Sequence, residues 1–446
     1  ARLAQVGARS GASYVAHRAR RSVASTDERR AELDVEHQMR TAAQVAETLG
    51  QMKGALMKIG QMASYLDDGM PEPMRDALAS LQQDAPPMAP ELCAAVVREE
   101  LGDVPERVFA QWDPTPIAAA SIGQVHRART HAGVDVAVKV QYPGVDEAIR
   151  SDLVNGDLLF RVLGMMFPGL ETGPLVAELR DRLTEELDYV IEADNQRLFA
   201  DYYSGHPFIH VPAVIGEHST ARVLTTELAT GSRFAEVEQW SQAERNDAAE
   251  AIFRFVFRSL YRLHAFNGDP HPGNYIFRPG GQVTFLDFGL VKRYTPADVA
   301  LFQDLIQAMV LDHDIAKFRR TLEEGSILRR DASLTDADIL GYFGHFYEFV
   351  IDDEEVTFNP EYASETVRRF FDVGSPHAHV TKASNVPPSM VITQRINLGL
   401  HAVLGRLGAT ANFRRIAEEL WPMVDGPPST PMGEAEATWL ETVAHR

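Results

Sequence analysis

The sequence predicts an α+β protein of two lobes, a small strand-rich one and a larger helical one, behind an all-helical N-terminal extension. Three observations predict it. From Glu32 to Tyr65 the apolar residues Leu33, Val45, Leu49, Leu56, Ile59 and Met62 recur near the 3.6-residue period of a helix. Between 124 and 141 two short runs with β-branched residues flank a three-residue connection. From Asn246 onward the pattern is again helical, broken by a Gly- and Pro-rich stretch from Gly268 to Asp287. On this division residues 1–105 form the extension, 106–228 the small lobe and 229–446 the helical lobe.

Each element has a local reason. Pro71 opens a second short helix, because proline is tolerated at a first helical position. Pro86, Pro87 and Pro90 punctuate the chain before an apolar helix that ends near Gly102. Gln124–Thr130 and Val134–Gln141, joined through His131, Ala132 and Gly133, read as a hairpin. Residues 175–201 return to a long helical pattern, and Val211–Val214 and Arg222–Glu227 read as two further strands. Asp352–Glu355 reads as a solvated acidic loop, and neither an internal repeat nor a low-complexity tract interrupts the chain.

Composition narrows the function. The 446 residues include 43 Lys and Arg against 63 Asp and Glu, a formal charge of −20, with 45% hydrophobic and 24% charged residues and a single cysteine. That balance belongs to a globular chain and argues against a general nucleic-acid binder, which needs clustered cations. A lone Cys93 makes no internal disulfide and fits a small core residue. No run approaches the ~18 apolar residues of a bilayer span. The most apolar segments, Asp157–Gly169 and Ala251–Phe266, are interrupted by Arg161, Arg254, Arg258 and Arg262. Residues 1–26 carry Arg2, Arg9, Arg18, Arg20 and Arg21 with no acid before Asp27. They read as a solvated terminus, as a basic surface for peripheral membrane contact, or as the remnant of an organellar targeting segment. The expected location is cytoplasmic, peripheral to a membrane or organellar on the latter two readings.

The strongest chemical signal is Gly268-Asp-Pro-His-Pro-Gly-Asn274 followed by Phe285-Leu-Asp-Phe-Gly289. Asp269 precedes Asn274 by five residues and Asp287 by eighteen. In protein kinases an Asp, an Asn five residues on and a later Asp-Phe-Gly share the work of phosphoryl transfer. Mg²⁺ prefers hard oxygen ligands, so the Asp287 carboxylate and the Asn274 amide oxygen suit it. Asp269 is placed to orient an acceptor hydroxyl or take its proton. The second signal is Lys139 within Val136-Ala-Val-Lys-Val140, one cation on an apolar strand. Such a lysine either snorkels at an edge or contacts nucleotide phosphates. On helical periodicity Glu185, Asp188 and Glu192 all qualify as its partner. Upstream, Ala118–Gln124 stands where a kinase has its Gly-rich phosphate loop, with Ala119, Ala120 and Ser121 beside the phosphates.

These stretches, with Lys58-Ile-Gly-Gln61 and Glu186-Leu-Asp188, make the chain resemble the UbiB/ABC1/ADCK (AarF-type) atypical kinases, whose KxGQ and ExD motifs they match in order. The resemblance implies a bilobal protein-kinase-like fold whose helical extension covers the active site. It implies binding of ATP or ADP with Mg²⁺, ATPase rather than ordinary protein-kinase behaviour, and a role in isoprenoid quinone biosynthesis or membrane lipid homeostasis. By the same resemblance Lys139 is the phosphate-binding lysine and Glu192 its partner. Lys58, Gln61, Glu186 and Asp188 are regulatory, and Glu227 and Leu228 sit at the hinge where adenine meets backbone groups. The partners implied are adenine nucleotide and a lipid or isoprenoid-quinone precursor. Only Leu290–Tyr294 separate Asp287-Phe-Gly from Thr295-Pro296, too little for a peptide-docking activation segment.

Other readings are a nucleotide-gated, largely non-catalytic regulator that binds a lipid or a partner, and a small-molecule phosphotransferase of the antibiotic-kinase type. A metal hydrolase built on His264, Asp269, His271 and Asp287 is a further rival, against which His271 between two prolines reads more simply as a residue that shapes the loop.

Overall fold

The computed structural model describes residues 88–120, 122–145, 187–362, 365, 377–384 and 388–444. The chain divides into two compact units, Met88–Pro143 with Ala177–Arg446, and Ala1–Pro87 with Gly144–Val176. Nearly all the described residues belong to the first, and the following concerns that unit.

Pro90 starts helix α1 (Pro90–Leu101), and Gly102, in the left-handed region at φ 87°, ends it by donating its N–H to the Arg98 carbonyl. Strands β1 (Gln111–Ala119), β2 (Gly123–Arg129) and β3 (Asp135–Gln141) follow as an antiparallel meander. Helix α2 (Tyr189–Tyr202) and the two-residue β4 (Ile209–His210) come next, and then β5 (Val223–Glu227) adds to the free edge of β3. Strand alternation organises this sheet. Val136, Val138 and Val140 face α1 and pack with Cys93, Val96 and Val97 into one apolar cluster, which turns Ala137 and Lys139 to the opposite face.

Gly123 is required where β2 meets β3, because a Cβ there would lie 2.2 Å from the Val140 carbonyl oxygen. Gly123→Ala is therefore expected to destabilise the protein by about 1–3 kcal/mol through overpacking. A urea midpoint equal to wild type would show that this crossing relaxes freely. Under α1 the polar side chains satisfy one another. His126 Nδ1 donates to the Asp113 carbonyl (2.9 Å), its Nε2 accepts from the Gln124 amide (2.8 Å) and lies 3.5 Å from Cys93 Sγ. Burial pushes the Cys93 thiol up to about 11, so it is a packed core residue rather than a reactive one.

The helical body is built on α3 (Gln242–Leu263), which follows β6 (Ser232–Arg233) and opens on a Ser241–Glu244 capping box. After it come β7 (Ala265–Asn267), β8 (Tyr275–Arg278), β9 (Gln282–Phe285) and β10 (Val291–Arg293). They pair as a β4-β9-β8-β6 sheet and a β7–β10 ribbon. Helices α4 (Pro296–Ile306), α5 (Ile315–Glu324) and α6 (Asp336–Phe343) lead to β11 (Val356–Thr357) and α7 (Pro388–Leu407). Strand β12 (Thr410–Ala411), α8 (Phe413–Leu420) and α9 (Pro431–Ala444) complete the described part. Among the described residues no helix is long and apolar enough to cross a membrane.

Arg254 and Arg258, one turn apart on α3, are wholly buried and lie in an ionic cluster. Arg254 reaches Glu250 (2.7 Å), Glu436 (2.8 Å) and Glu419 (2.9 Å), and Arg258 donates to both Glu436 oxygens at 3.0 Å. The cluster joins α3 to α9. Arginines that read as interruptions of an apolar segment are thus internal fastenings.

Two expectations need correction, and one strand carried no signal in the sequence. The strand expected at Val211–Val214 lies at Ile209–His210, and only Val214 makes a single bridge, to Thr226. Pro212 lies inside the expected run and has no N–H for a ladder, so the pairing falls before it. Strand β1 has no strand pattern in the sequence because Pro114 and Pro116 break it; it tolerates them as an edge strand, with register shifts on both sides of Pro116. Ala118 and Ala119 belong to β1, paired with Val125 and Gln124, so the expected Ala-rich loop is a tight turn closed by the Ala120 N–H on the Gly123 carbonyl (2.8 Å).

Candidate active site

Strand alternation delivers Lys139 to the face of the sheet that meets α2, and there its ammonium donates to both oxygens of Glu192, at 2.8 and 2.9 Å. Of the three carboxylates that helical spacing left open, the fold thus selects Glu192. Asp188 caps α2, accepting the Val190 N–H at 2.9 Å, while Glu185 lies outside the described residues. Asp287 is the second acid near the lysine, its Oδ2 3.9 Å from Nζ, and the Tyr189 ring lies 5.0 Å away. Burial alone would lower the Lys139 pKa. The Glu192 and Asp287 carboxylates and Tyr189 more than reverse that and hold it well above its ordinary value, so the side chain is a permanent cation.

The two loops of the spacing motif are clamped together by the β7–β10 ribbon. Asn267, at the end of β7, donates to the Asp287 carbonyl (2.8 Å) and accepts the Asp269 N–H (3.2 Å). Gly268 donates to the Leu290 carbonyl (2.7 Å), and a Cβ there would meet the Leu290 side chain at 2.6 Å. The loop then folds on itself: His271 Nδ1 accepts the Gly273 N–H (3.0 Å), and the Asn274 amide donates to the Asp269 carbonyl (2.9 Å) and more distantly to its carboxylate (3.4 Å). His271 shapes the loop, as its flanking prolines suggested. Phe288 is wholly buried against Phe199 of α2, and Asn195 donates to its carbonyl (3.2 Å), so α2 carries the partner of Lys139 and also supports the Asp287 turn.

The donor set suits a hard divalent cation. Asp287 offers a carboxylate whose Oδ1 is oriented by the Gly289 N–H (2.9 Å), and a Cβ on Gly289 would crowd that oxygen at 3.3 Å. The Asn274 amide spends its N–H₂ on Asp269, which leaves its carbonyl oxygen as the ligating end. Among the described residues no group of three or more His, Cys, Asp and Glu is placed to hold a metal ion.

The hinge expectation meets committed donors. Glu227 donates its N–H to the Ala213 carbonyl (2.9 Å) and accepts the Ala213 N–H on its carboxylate (3.0 Å), while Leu228 donates to the Asp135 carbonyl (3.0 Å). Ala119 and Ala120 lie at the β1–β2 turn; Ser121, Lys58, Gln61 and Glu186 lie outside the described residues. Sequence reasoning missed Asn267 and Asn195, which grip the Asp287-Phe288-Gly289 backbone. An Asn two residues before Asp269 was the signal available for the first.

The model of the ABC1 atypical kinase-like domain matches residues 80–321, more than half of the chain and all of the site just described. The chain belongs to the ABC1 atypical kinase-like family. Among the family's curated members it is 35% identical over 255 residues to the atypical kinase COQ8B, mitochondrial, of Rattus norvegicus, covering 57% of this chain and 48% of that protein. It is 26% identical over 382 residues to the atypical kinase COQ8, mitochondrial, of Saccharomyces cerevisiae, covering 84% and 75%. The chain spans about half the length, or less, of several curated relatives it matches. Among solved structures, Rv3197 of Mycobacterium tuberculosis in complex with erythromycin shares 30% identity and a TM-score of 0.64, over 88% of this chain and 98% of that one. The ABC1 kinase-like fold is thus the fold of this chain.

Proposed function

We propose that this ABC1-family chain binds ATP or ADP with Mg²⁺. It slowly hydrolyses ATP or passes its terminal phosphoryl group to a small or lipid-like acceptor, in support of isoprenoid quinone biosynthesis or membrane lipid homeostasis. The observation that carries the reading is the Lys139–Glu192 pair at 2.8 Å with Asp287 at 3.9 Å from the same ammonium. A cation held by one acid beside a second acid serves a triphosphate and its counter-ion. Lys139 would contact phosphate oxygens, with Glu192 as its positioning residue. Asp287 and Asn274 would hold Mg²⁺, which when bound neutralises phosphate charge. Asp269 would orient the attacking hydroxyl or water and hold its proton. The turn that carries Ala119 and Ala120 would lie beside the phosphates, and Ser121, next in sequence, would add its hydroxyl to them. With the Glu227 and Leu228 N–H groups engaged, adenine would meet the Leu228 carbonyl and the backbone of Ala229.

Thermal unfolding of the full chain tests the reading. ADP at about 100 times its Kd is expected to stabilise the wild type by about 2.7 kcal/mol when Mg²⁺ is present. The Mg²⁺-dependent part is expected to vanish in Asp287→Asn. No stabilisation in wild type, or an equal one in the variant, would overturn the assignment.

A further inference from the structure

Helix α7 carries Thr393, Asn397 and His401 at four-residue intervals, which places three polar side chains on one helix face. All three line a half-open pocket of about 190 Å³ in the helical body. Apart from Tyr261 and Tyr347 its other described walls are apolar, with Phe257 and Phe266 from α3 and β7, Phe302 from α4, and Ala417 from α8. An apolar cavity of about 150 Å³ takes up benzene, so this one has space for a single ring with a small substituent.

The chemistry of the walls restricts the occupant. No Asp, Glu, Lys or Arg lines the cavity among the described residues. His401 is buried with its Nδ1 lacking a hydrogen-bond partner, and burial, with His345 nearby, pushes its pKa down to about 3. The imidazole is therefore neutral at neutral pH, and no charged side chain among the described wall residues compensates the charge of an anionic or cationic guest.

The same helix presses on the Asp269 loop. A Cβ at Gly399 would lie 2.5 Å from Pro270 Cγ, so α7 and that loop are in direct contact. Thr393 is hydrogen-bonded to the Tyr294 hydroxyl (2.6 Å), just past β10 of the ribbon that clamps the Asp287 turn. A change in the packing of α7 thus reaches both loops of the candidate active site through atoms already in contact.

We propose that this cavity binds an uncharged, largely apolar molecule of one ring's size, and that its occupancy is transmitted through α7 to the Gly268–Asn274 loop. The proposal goes beyond the nucleotide reading and does not rest on it.

The test uses the full chain without nucleotide and fluorobenzene as the probe. Saturable binding seen by ¹⁹F NMR is expected in wild type. It is expected to be lost in Ala417→Leu, which fills the cavity from α8 and holds the melting temperature at or above that of wild type. Should that variant fail to fold, Val350→Phe fills the cavity from another wall and carries the same comparison. Amide hydrogen exchange in peptides covering 268–274 is expected to slow at least twofold on saturation in wild type and to stay unchanged in the filled variant. No saturable binding in wild type, or binding that survives filling, overturns the site. Binding with unchanged exchange at 268–274 overturns the coupling.

Discussion

Asp269→Asn is expected to lower phosphate release from ATP by about 10²–10⁴-fold, the usual contribution of a positioned acid or base. The amide is isosteric, and the loop's principal bond, from the Asn274 amide to the residue 269 carbonyl at 2.9 Å, is a backbone contact that survives the change. Lys139, Glu192 and Asp287 are untouched, so Mg²⁺-dependent stabilisation by ADP should persist. The pair of measurements separates chemistry from binding. Full turnover in Asp269→Asn would remove this residue from catalysis while leaving the nucleotide site standing.

Glu436→Gln is expected to destabilise the folded chain by about 3–5 kcal/mol at pH 7, because it leaves two buried guanidiniums with one acceptor charge fewer. Arg254 would retain Glu250 and Glu419, but Arg258 would lose the bidentate contact at 3.0 Å. Burial would raise the Glu436 pKa. Its neighbours His206, Arg258 and Arg254 outweigh burial and hold the carboxyl below the usual range. A carboxyl depressed on folding contributes stability that is fully present above its unfolded value, about 4.3, and is lost as pH falls toward the folded one. Glu250 acts in the opposite sense: burial raises its pKa against the pull of Arg254, so its contribution is present at low pH and lost as pH rises through the folded value. The gap between wild type and Glu436→Gln should therefore narrow as pH drops from about 5 to 3. Urea unfolding across that range checks both statements, and equal stabilities at pH 7 would reduce the cluster to a neutral one.

What was legible from sequence follows the range of the interactions. Asp269, Asn274 and Asp287 lie within nineteen residues, and one loop and one hairpin bring them together, so their spacing already carried the chemistry. The β2–β3 hairpin was legible for the same reason, and its alternation placed Lys139 away from the valines. The partner of Lys139 is 53 residues distant, and helical periodicity offered Glu185, Asp188 and Glu192 alike. Only the docking of α2 beside β3 chose among them. Strand β1 was illegible because proline is a general strand breaker, and its edge position, which excuses the prolines, is a tertiary fact.

The sequence by itself determined the family-bearing motifs, their order, and the acidic, single-cysteine character that weighs against nucleic acid and disulfides. Tertiary structure decided where buried polarity is satisfied. Arg254 and Arg258 look, in one dimension, like polar faults in an apolar helix; 182 and 178 residues later Glu436 meets them. Asn397 and His401 share one face of α7 by their spacing, but the other walls of the pocket of about 190 Å³ that they line come from distant segments. The physical reason is common to both. A buried charge or imidazole is tolerable only with respect to what surrounds it, and those surroundings come from segments that the local pattern cannot bring into view.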